Sequence, residues 1–324
     1  MEGEAVEVTV STPSRLHFGM IDMRGDMGRI HGSVGVAIDR PRILLKASPS
    51  SQLQVKGFRS ERVRAYAETI FQTYDVDGAA NIELVSDINE HSGFGSGTQL
   101  ALAVGAAISR LYSLWLTPEE IAVTLGRSKR SGVGVYAFKQ GGFIIDGGHR
   151  LDRKEELPLL IFNTSVPEDW RFVIGLPEIT QNHHGELEHT AFINIEPPSP
   201  QLIGEISRVI LVQMMPAILE RDVKAFGEAM TAIDFKFGEF WLKVQGGRFS
   251  NPVIEDGVNF LLEAGALGVG QSSWGPAFYG LAEGDEQANR ISESLKKHLN
   301  SGGRGGEVFI ARPDNKGAVI DLTR

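Results

Sequence analysis

The sequence predicts an α+β protein built as two layered domains. Strand-like segments crowd the first half of the chain and helix-like segments the second, with strands in both. That order suits α+β layers rather than a doubly wound parallel sheet. A second observation lies inside the first half: a glycine-rich turn, Gly93-Phe94-Gly95-Ser96-Gly97-Thr98, opens directly into a run of small apolar residues. Third, 324 residues with 42% hydrophobic content are enough for two domains with buried cores.

Taken in order, residues 6–10 alternate apolar and polar and read as a strand. Thr12-Pro13-Ser14 interrupts it before a second short strand at 16–20. A glycine-punctuated loop at 24–32 leads to strands at 34–38 and 42–47. Val63, Tyr66, Ala67, Ile70 and Phe71 give 59–74 a helical period. A strand at 81–86 precedes the glycine turn, and the helix at 98–112 is apolar on most faces, which places it centrally. Thr117 and Pro118 supply a cap and a first-turn proline for another helix. Residues 133–138 and 142–146 read as strands about a turn at Gln140-Gly141. A boundary is expected near 155, giving domains of 1–155 and 156–324. Beyond it come a strand at 170–176, a polar loop at 181–189 and the rigid Pro197-Pro198-Ser199-Pro200 linker. Helices at 202–220, 222–238, 251–264 and 285–299 follow, with strands at 306–311 and 318–322.

Composition removes several functions. Forty-one acidic against 32 basic residues give a net charge of −9, unsuited to nonspecific nucleic-acid binding. Cysteine is absent, which excludes disulfides, thiolate catalysis and cysteine-held zinc. No uninterrupted apolar run approaches the ~18 residues of a membrane span, and residues 1–7 do not read as a signal peptide. A cytoplasmic location, with neither membrane nor nucleic-acid partner, is the expectation.

The glycine turn is the strongest chemical signal. Alternating glycines let backbone approach a ligand, and the N–H groups of a helix start face an anion. Ser96 and Thr98 add hydroxyls, and Gln99 follows. The Gly-Lys-Ser/Thr ending of a Walker loop is missing, and the spacing is not that of a dinucleotide fingerprint. A phosphate cradle of another kind is expected.

Three segments together resemble the GHMP kinase superfamily: Thr12-Pro13-Ser14-Arg15-Leu16-His17-Phe18-Gly19, the 93–98 turn, and Gly268-Val269-Gly270-Gln271-Ser272-Ser273-Trp274-Gly275-Pro276-Ala277-Phe278. They stand where that superfamily has its first motif, its phosphate loop and its C-terminal glycine motif. The resemblance implies a ribosomal-protein-S5-like N-terminal domain and a ferredoxin-like C-terminal domain with the site between them. Residues 91–103, 130–138, 141–149 and 270–276 carry a narrower resemblance, to the β-ribofuranosylaminobenzene 5′-phosphate synthase family. This implies an enzyme of tetrahydromethanopterin biosynthesis, a pentosyltransferase. It would join phosphoribosyl pyrophosphate to 4-hydroxybenzoate or 4-aminobenzoate, losing CO2 and pyrophosphate. The alternative is an ATP-dependent small-molecule kinase. Against it, Gly134 occupies the place of the aspartate that acts on the substrate hydroxyl in several of those kinases.

That chemistry suggests site residues. Gly93, Gly95, Ser96, Gly97, Thr98 and Gln99 would hold donor phosphate with Arg24, while Arg130 and Lys139 are weaker cationic candidates. Arg15, His17, Asp146 and His184 are the catalytic candidates. His31 is a further possible proton carrier. Asp22 and Asp146, with Glu186 and Glu188 as alternatives, are the expected carboxylates for Mg2+ beside the donor's phosphates. Trp274 would wall an aromatic slot, with Gln271, Ser272 and Ser273 donating to the acceptor. His183, His184 and His189 lack the spacing of a zinc motif. A homodimer is the default assembly.

Overall fold

The computed structural model describes residues 6–179, 196–301 and 305–323, with the side chains of 243–245 undescribed. Two long antiparallel strands, β1 (Glu7–Asp22) and β2 (Arg29–Ser50), form the spine of an eight-stranded sheet. The four short strands expected here merge into these two. The break at Thr12-Pro13-Ser14 survives only as a shift in register between Thr12 and Ser14. A bulge absorbs a proline without ending the pairing. The parallel pair β3 (Gln54–Gly57) and β4 (Ala79–Ser86) is joined by helix α1 (Ser60–Thr73), and β4 pairs with one end of β2. Across the other end of β2 lie β5 (Phe143–Asp146) and β6 (His149–Arg150), with β7 (Leu160–Thr164) on β5.

Helix α2 (Ser96–Leu111) lies against β1 and β2, buried continuously from Gln99 to Ser109. Helix α3 (Pro118–Thr124) starts at a complete capping box of Thr117 and Glu120. It packs onto α2 at Gly105, where an added Cβ would sit 2.3 Å from Ile121. Residues 133–138, expected as a strand, are instead helix α4 (Val133–Gln140). Val133 to Phe138 are all buried, and a short apolar segment covered on every side loses the periodicity that separates helix from strand.

The second sheet contains β8 (Trp170–Pro177), β9 (Gly268–Gln271), β10 (Phe278–Glu283) and β11 (Gly306–Ala311), all antiparallel, in the order β11-β8-β10-β9. Numbered by appearance this is 4-1-3-2, the ferredoxin-like arrangement. Helix α5 (Pro200–Val209), capped by Ser199, runs through a π turn at Ile210–Met214 into α6 (Met215–Glu220). Then come α7 (Val223–Gln245), capped by Asp222, α8 (Pro252–Glu263), capped by Asn251, and α9 (Gly284–Ser301). Helical residues Pro200–Glu220 are, by length and composition alone, apolar enough to cross a membrane. The sequence expectation missed this because Glu205, Arg208 and Gln213 interrupt the run. Ile206, Ile210, Met214, Ala217 and Ile218 are buried in the core.

The sheets do not divide the chain at 155. β7 belongs to the first sheet, and β12 (Val319–Thr323) returns from the far end of the chain to pair with β1. The two modules also share one core. Phe226 of α7 packs its ring 6.2 Å from Phe18, 5.4 Å from Phe143 and 5.0 Å from Trp170. That seam fixes the cleft between the modules.

Candidate active site

The cleft holds two adjoining cavities of opposite character. The first is built on the glycine turn. Gly95 caps α2 with φ +78, a left-handed conformation that glycine takes without strain. The first N–H groups of α2 therefore open onto this cavity. Three arginines from separate elements surround it: Arg15 of β1, Arg62 of α1 and Arg127 after α3. Arg15 donates to the carbonyl of Gly93. Arg62 pairs with Glu90 at 2.6 Å. Arg127 has a buried Nε with no hydrogen-bond partner, and its Nη2 lies 3.0 Å from where a Cβ of Gly97 would stand. Burial, with Arg62 beside it, holds the Arg127 guanidinium below the usual arginine pKa. Three arginines facing the single lining carboxylate of Glu90 suit a phosphate or pyrophosphate.

The second cavity is aromatic. Trp241 of α7 and Trp274 of the β9–β10 turn meet edge to face, centroids 4.9 Å apart at 62°. Arg248 lies at its mouth with the guanidinium 4.6 Å from the Phe235 ring centre. Two titratable groups face inward. His17 is 6% exposed, and burial, then the charge of Arg15, lowers its pKa to about 3, so the ring is neutral at pH 7. Asp234 of α7 accepts the backbone N–H of Gln271 at 3.2 Å, and burial pushes its carboxyl well above the usual range. An aromatic slot with a cation at the mouth and a buried acid within suits a flat aromatic acid.

Ser273 and Trp274 line both cavities. Ser273 holds φ +57, an uncommon conformation for a side-chain-bearing residue. Its N–H donates to the carbonyl of His17 at 3.1 Å, and the N–H of Ala277 donates to the carbonyl of Ser92 at 3.2 Å. The turn is thus stitched to the first module on both sides.

Of the expected residues, the structure gathers Arg15, Gly93, Gly95, Ser96, Gly97 and Thr98 at the first cavity and His17, Gln271, Ser273 and Trp274 at the second. Others stand elsewhere. Gln99 is fully buried and donates to the carbonyl of Gly134 at 2.7 Å. Ser272 is fully buried in the seam. The amide of Gln271 is committed to Ser250 and Ser273, so it shapes the turn rather than donating to a ligand. Arg24 pairs with Asp26 and reaches the carbonyl of Pro198. Lys139 pairs with Glu119 on the surface, while Arg130 and His31 line neither cavity. His184, with His183, Glu186, Glu188 and His189, lies outside the described residues.

The expected metal carboxylates line neither cavity. Asp22 accepts the backbone N–H groups of Arg24 and Gly25, an Asx turn. Asp146 has no exposed surface, and its two oxygens accept N–H from Gly132 at 2.8 Å and Gly148 at 2.9 Å. Among the described residues, no three acids or histidines converge on a metal position.

Arg62, Arg127, Asp234, Trp241 and Arg248 were not anticipated. One signal was available: Asp234, Phe237, Gly238 and Trp241 follow the i, i+3, i+4, i+7 spacing of one helix face. Arg62 and Arg127 carry no such mark, since only the fold brings α1 and the α3 terminus together.

Fold and cleft define the GHMP kinase class. Residues 61–142 match the family model of the GHMP kinase N-terminal domain and residues 214–301 that of the C-terminal region. Homoserine kinase from Cytophaga hutchinsonii superposes with a TM-score of 0.72 at 16% identity, over 99% of this chain and 98% of that one. Sequence narrows the class. The chain is 33% identical to the β-ribofuranosylphenol 5′-phosphate synthase of Archaeoglobus fulgidus, over 96% of this chain and 98% of the relative. It is 30% identical to the same-named protein of Methanothermobacter thermautotrophicus, over 97% and 99%. The chain belongs to this synthase family and is an enzyme of that pentosyltransferase type.

Proposed function

We propose that the protein transfers the ribosyl 5′-phosphate group of phosphoribosyl pyrophosphate to the ring carbon of 4-hydroxybenzoate, with loss of pyrophosphate and CO2. The observation that carries the reading is the meeting of an arginine-lined phosphate cavity and an aromatic cavity at Ser273 and Trp274. The name of the relatives supports the choice of acceptor, because decarboxylation of 4-hydroxybenzoate leaves a phenol and that of 4-aminobenzoate leaves an aniline.

Bond breaking at the donor's anomeric carbon leaves an oxocarbenium-like centre and a strongly anionic leaving group. In this reading Arg15, Arg62, Arg127 and the start of α2 take the pyrophosphate. Preorganised cations and N–H groups stabilise the charge without rearrangement. Trp274, on the wall of both cavities, is where the acceptor ring meets the anomeric carbon, and Arg248 is the cation that the aromatic cavity offers to the acceptor carboxylate. Magnesium enters with the donor as counter-ion to its phosphates, not as an ion resident on Asp22 or Asp146. A homodimer in the cytoplasm, serving tetrahydromethanopterin biosynthesis, is the setting that accompanies the reading.

The kinase reading rests on the fold shared with homoserine kinase. Gly134 offers no side chain to a substrate hydroxyl, and Asp146, which binds the nearby N–H of Gly132, is sealed in the interior. The deciding experiment incubates the protein with phosphoribosyl pyrophosphate, Mg2+ and 4-hydroxybenzoate and measures pyrophosphate and CO2. Equal release of both is expected. ATP consumption dependent on a small alcohol, with no pyrophosphate released from the donor, would overturn the synthase reading.

A further inference from the structure

The reaction proposed above has a proton problem that Asp234 is placed to solve. Attack by the acceptor's ring carbon on the anomeric carbon forms a C–C bond as the donor's C–O bond breaks, the bonding pair leaving with pyrophosphate. The ring then carries positive charge delocalised onto the para hydroxyl. Losing the hydroxyl proton turns it into a neutral dienone. Cleavage of the ring–carboxylate bond returns an electron pair to the ring, releases CO2 and leaves a phenolate, which regains a proton. One group can take the proton and give it back, and no net acid or base is consumed.

The geometry points to Asp234 as that group, receiving the proton of the acceptor's ring hydroxyl as the C–C bond forms and returning it after CO2 departs; this rests on the synthase reading. The reacting ring carbon must face the phosphate cavity, across Ser273 and Trp274. Its para hydroxyl then points away from that junction into the aromatic cavity, which Asp234 lines. The side chain of Arg248 is 33% exposed at the mouth, whereas Asp234 is 7% exposed and lines the interior. Its Oδ2 is oriented by the N–H of Gln271 at 3.2 Å. Behind it the buried Tyr279 hydroxyl has no hydrogen-bond partner. Both crowd Gly270, where an added Cβ would lie 2.6 Å from the Tyr279 oxygen and 2.9 Å from the Asp234 carboxyl carbon. Burial also raises the proton affinity of the carboxylate above its usual range, in the direction of the working pH at which a general base is most effective.

The test compares the unaltered protein with Asp234→Asn across 4-hydroxybenzoate, its 3-fluoro and 3,5-difluoro derivatives, and 4-methoxybenzoate, following pyrophosphate release. Asp234→Asn should lower kcat on 4-hydroxybenzoate by about 10²- to 10⁴-fold, the usual weight of a general base. The donor KM should hold. The deficit should shrink as fluorine makes the hydroxyl more acidic, because a weaker base then suffices. A merely structural role would impose the same loss on every acceptor, and that result, or an unimpaired variant, would overturn the assignment. The unaltered protein gives a second measure should the variant not fold. 4-Methoxybenzoate has no proton to surrender, so turnover of it at the rate of 4-hydroxybenzoate would overturn the role of Asp234. Absence of pyrophosphate release by the unaltered protein with every acceptor would instead overturn the synthase reading itself.

Discussion

The hydroxyl of Ser272 donates to the carbonyl of Gly93 at 2.7 Å and accepts the N–H of His17 at 3.0 Å, bonding the β9–β10 turn to both halves of the first module's site. Ser272→Ala would leave that buried N–H unsatisfied, at a cost of about 1–3 kcal/mol. We expect a lower thermal midpoint and weaker donor binding together, read by calorimetry with and without phosphoribosyl pyrophosphate. A variant matching the parent in both would show that the seam is not set by this residue.

Gly97, rather than Gly95, is the position at which to block the phosphate cavity. Gly95 has φ +78 and Gly93 φ +91, so a side chain at either strains the backbone itself. An alanine Cβ at 97 would meet the flexible end of Arg127 at 3.0 Å. Gly97→Ala should weaken donor binding by roughly tenfold, the equivalent of ~1.4 kcal/mol, with the unfolding midpoint shifted by only a few degrees. Unchanged donor affinity in a titration would remove the cavity from the donor-binding account.

His17 sets a pH dependence. Its pKa falls from 6.5 to about 3 on folding, so the native state disfavours its proton. The contribution to stability is therefore full above pH 6.5 and is lost as pH falls from 6.5 towards 3, on the order of a few kcal/mol. His17→Asn should flatten this part of the urea-unfolding profile between pH 7 and 4. An identical slope in parent and variant would show that His17 is not the responsible group.

Asp146 titrates with the opposite sense. Burial raises its pKa from 3.8 to about 6, while the N–H bonds from Gly148 and Gly132 oppose the rise. Its contribution is greatest below pH 3.8 and is lost as pH rises through 6. Asp146→Asn should remove that slope and cost about 1–3 kcal/mol at pH 7, since one amide NH2 would oppose a backbone donor. Turnover per folded molecule should be kept at saturating donor and Mg2+. Loss of turnover with an unchanged fold would restore the residue to the metal site.

The glycine turn, Arg15, His17 and the Trp274 turn were legible because each lies on a short contiguous motif whose residue types state their chemistry. The ferredoxin-like order was not readable from the strands themselves, and entered only through resemblance. Residues 133–138 misled because complete burial erases period. Arg62 and Arg127 each look like an ordinary surface charge in sequence, and only the folded backbone converts them into cavity walls. Asp22 and Asp146 misled in the reverse way: a carboxylate beside glycines suits a metal or a turn equally, and the turn claimed both.

The pairing of β12 with β1 has a consequence for how the protein is made. During vectorial synthesis the first sheet emerges from the ribosome with the outer edge of β1 bare. That edge stays unpaired until Val319–Thr323 arrives, after the whole ferredoxin-like module has been translated. The sheet that carries the phosphate cavity thus gains its last strand only after every residue that walls the aromatic cavity has been translated.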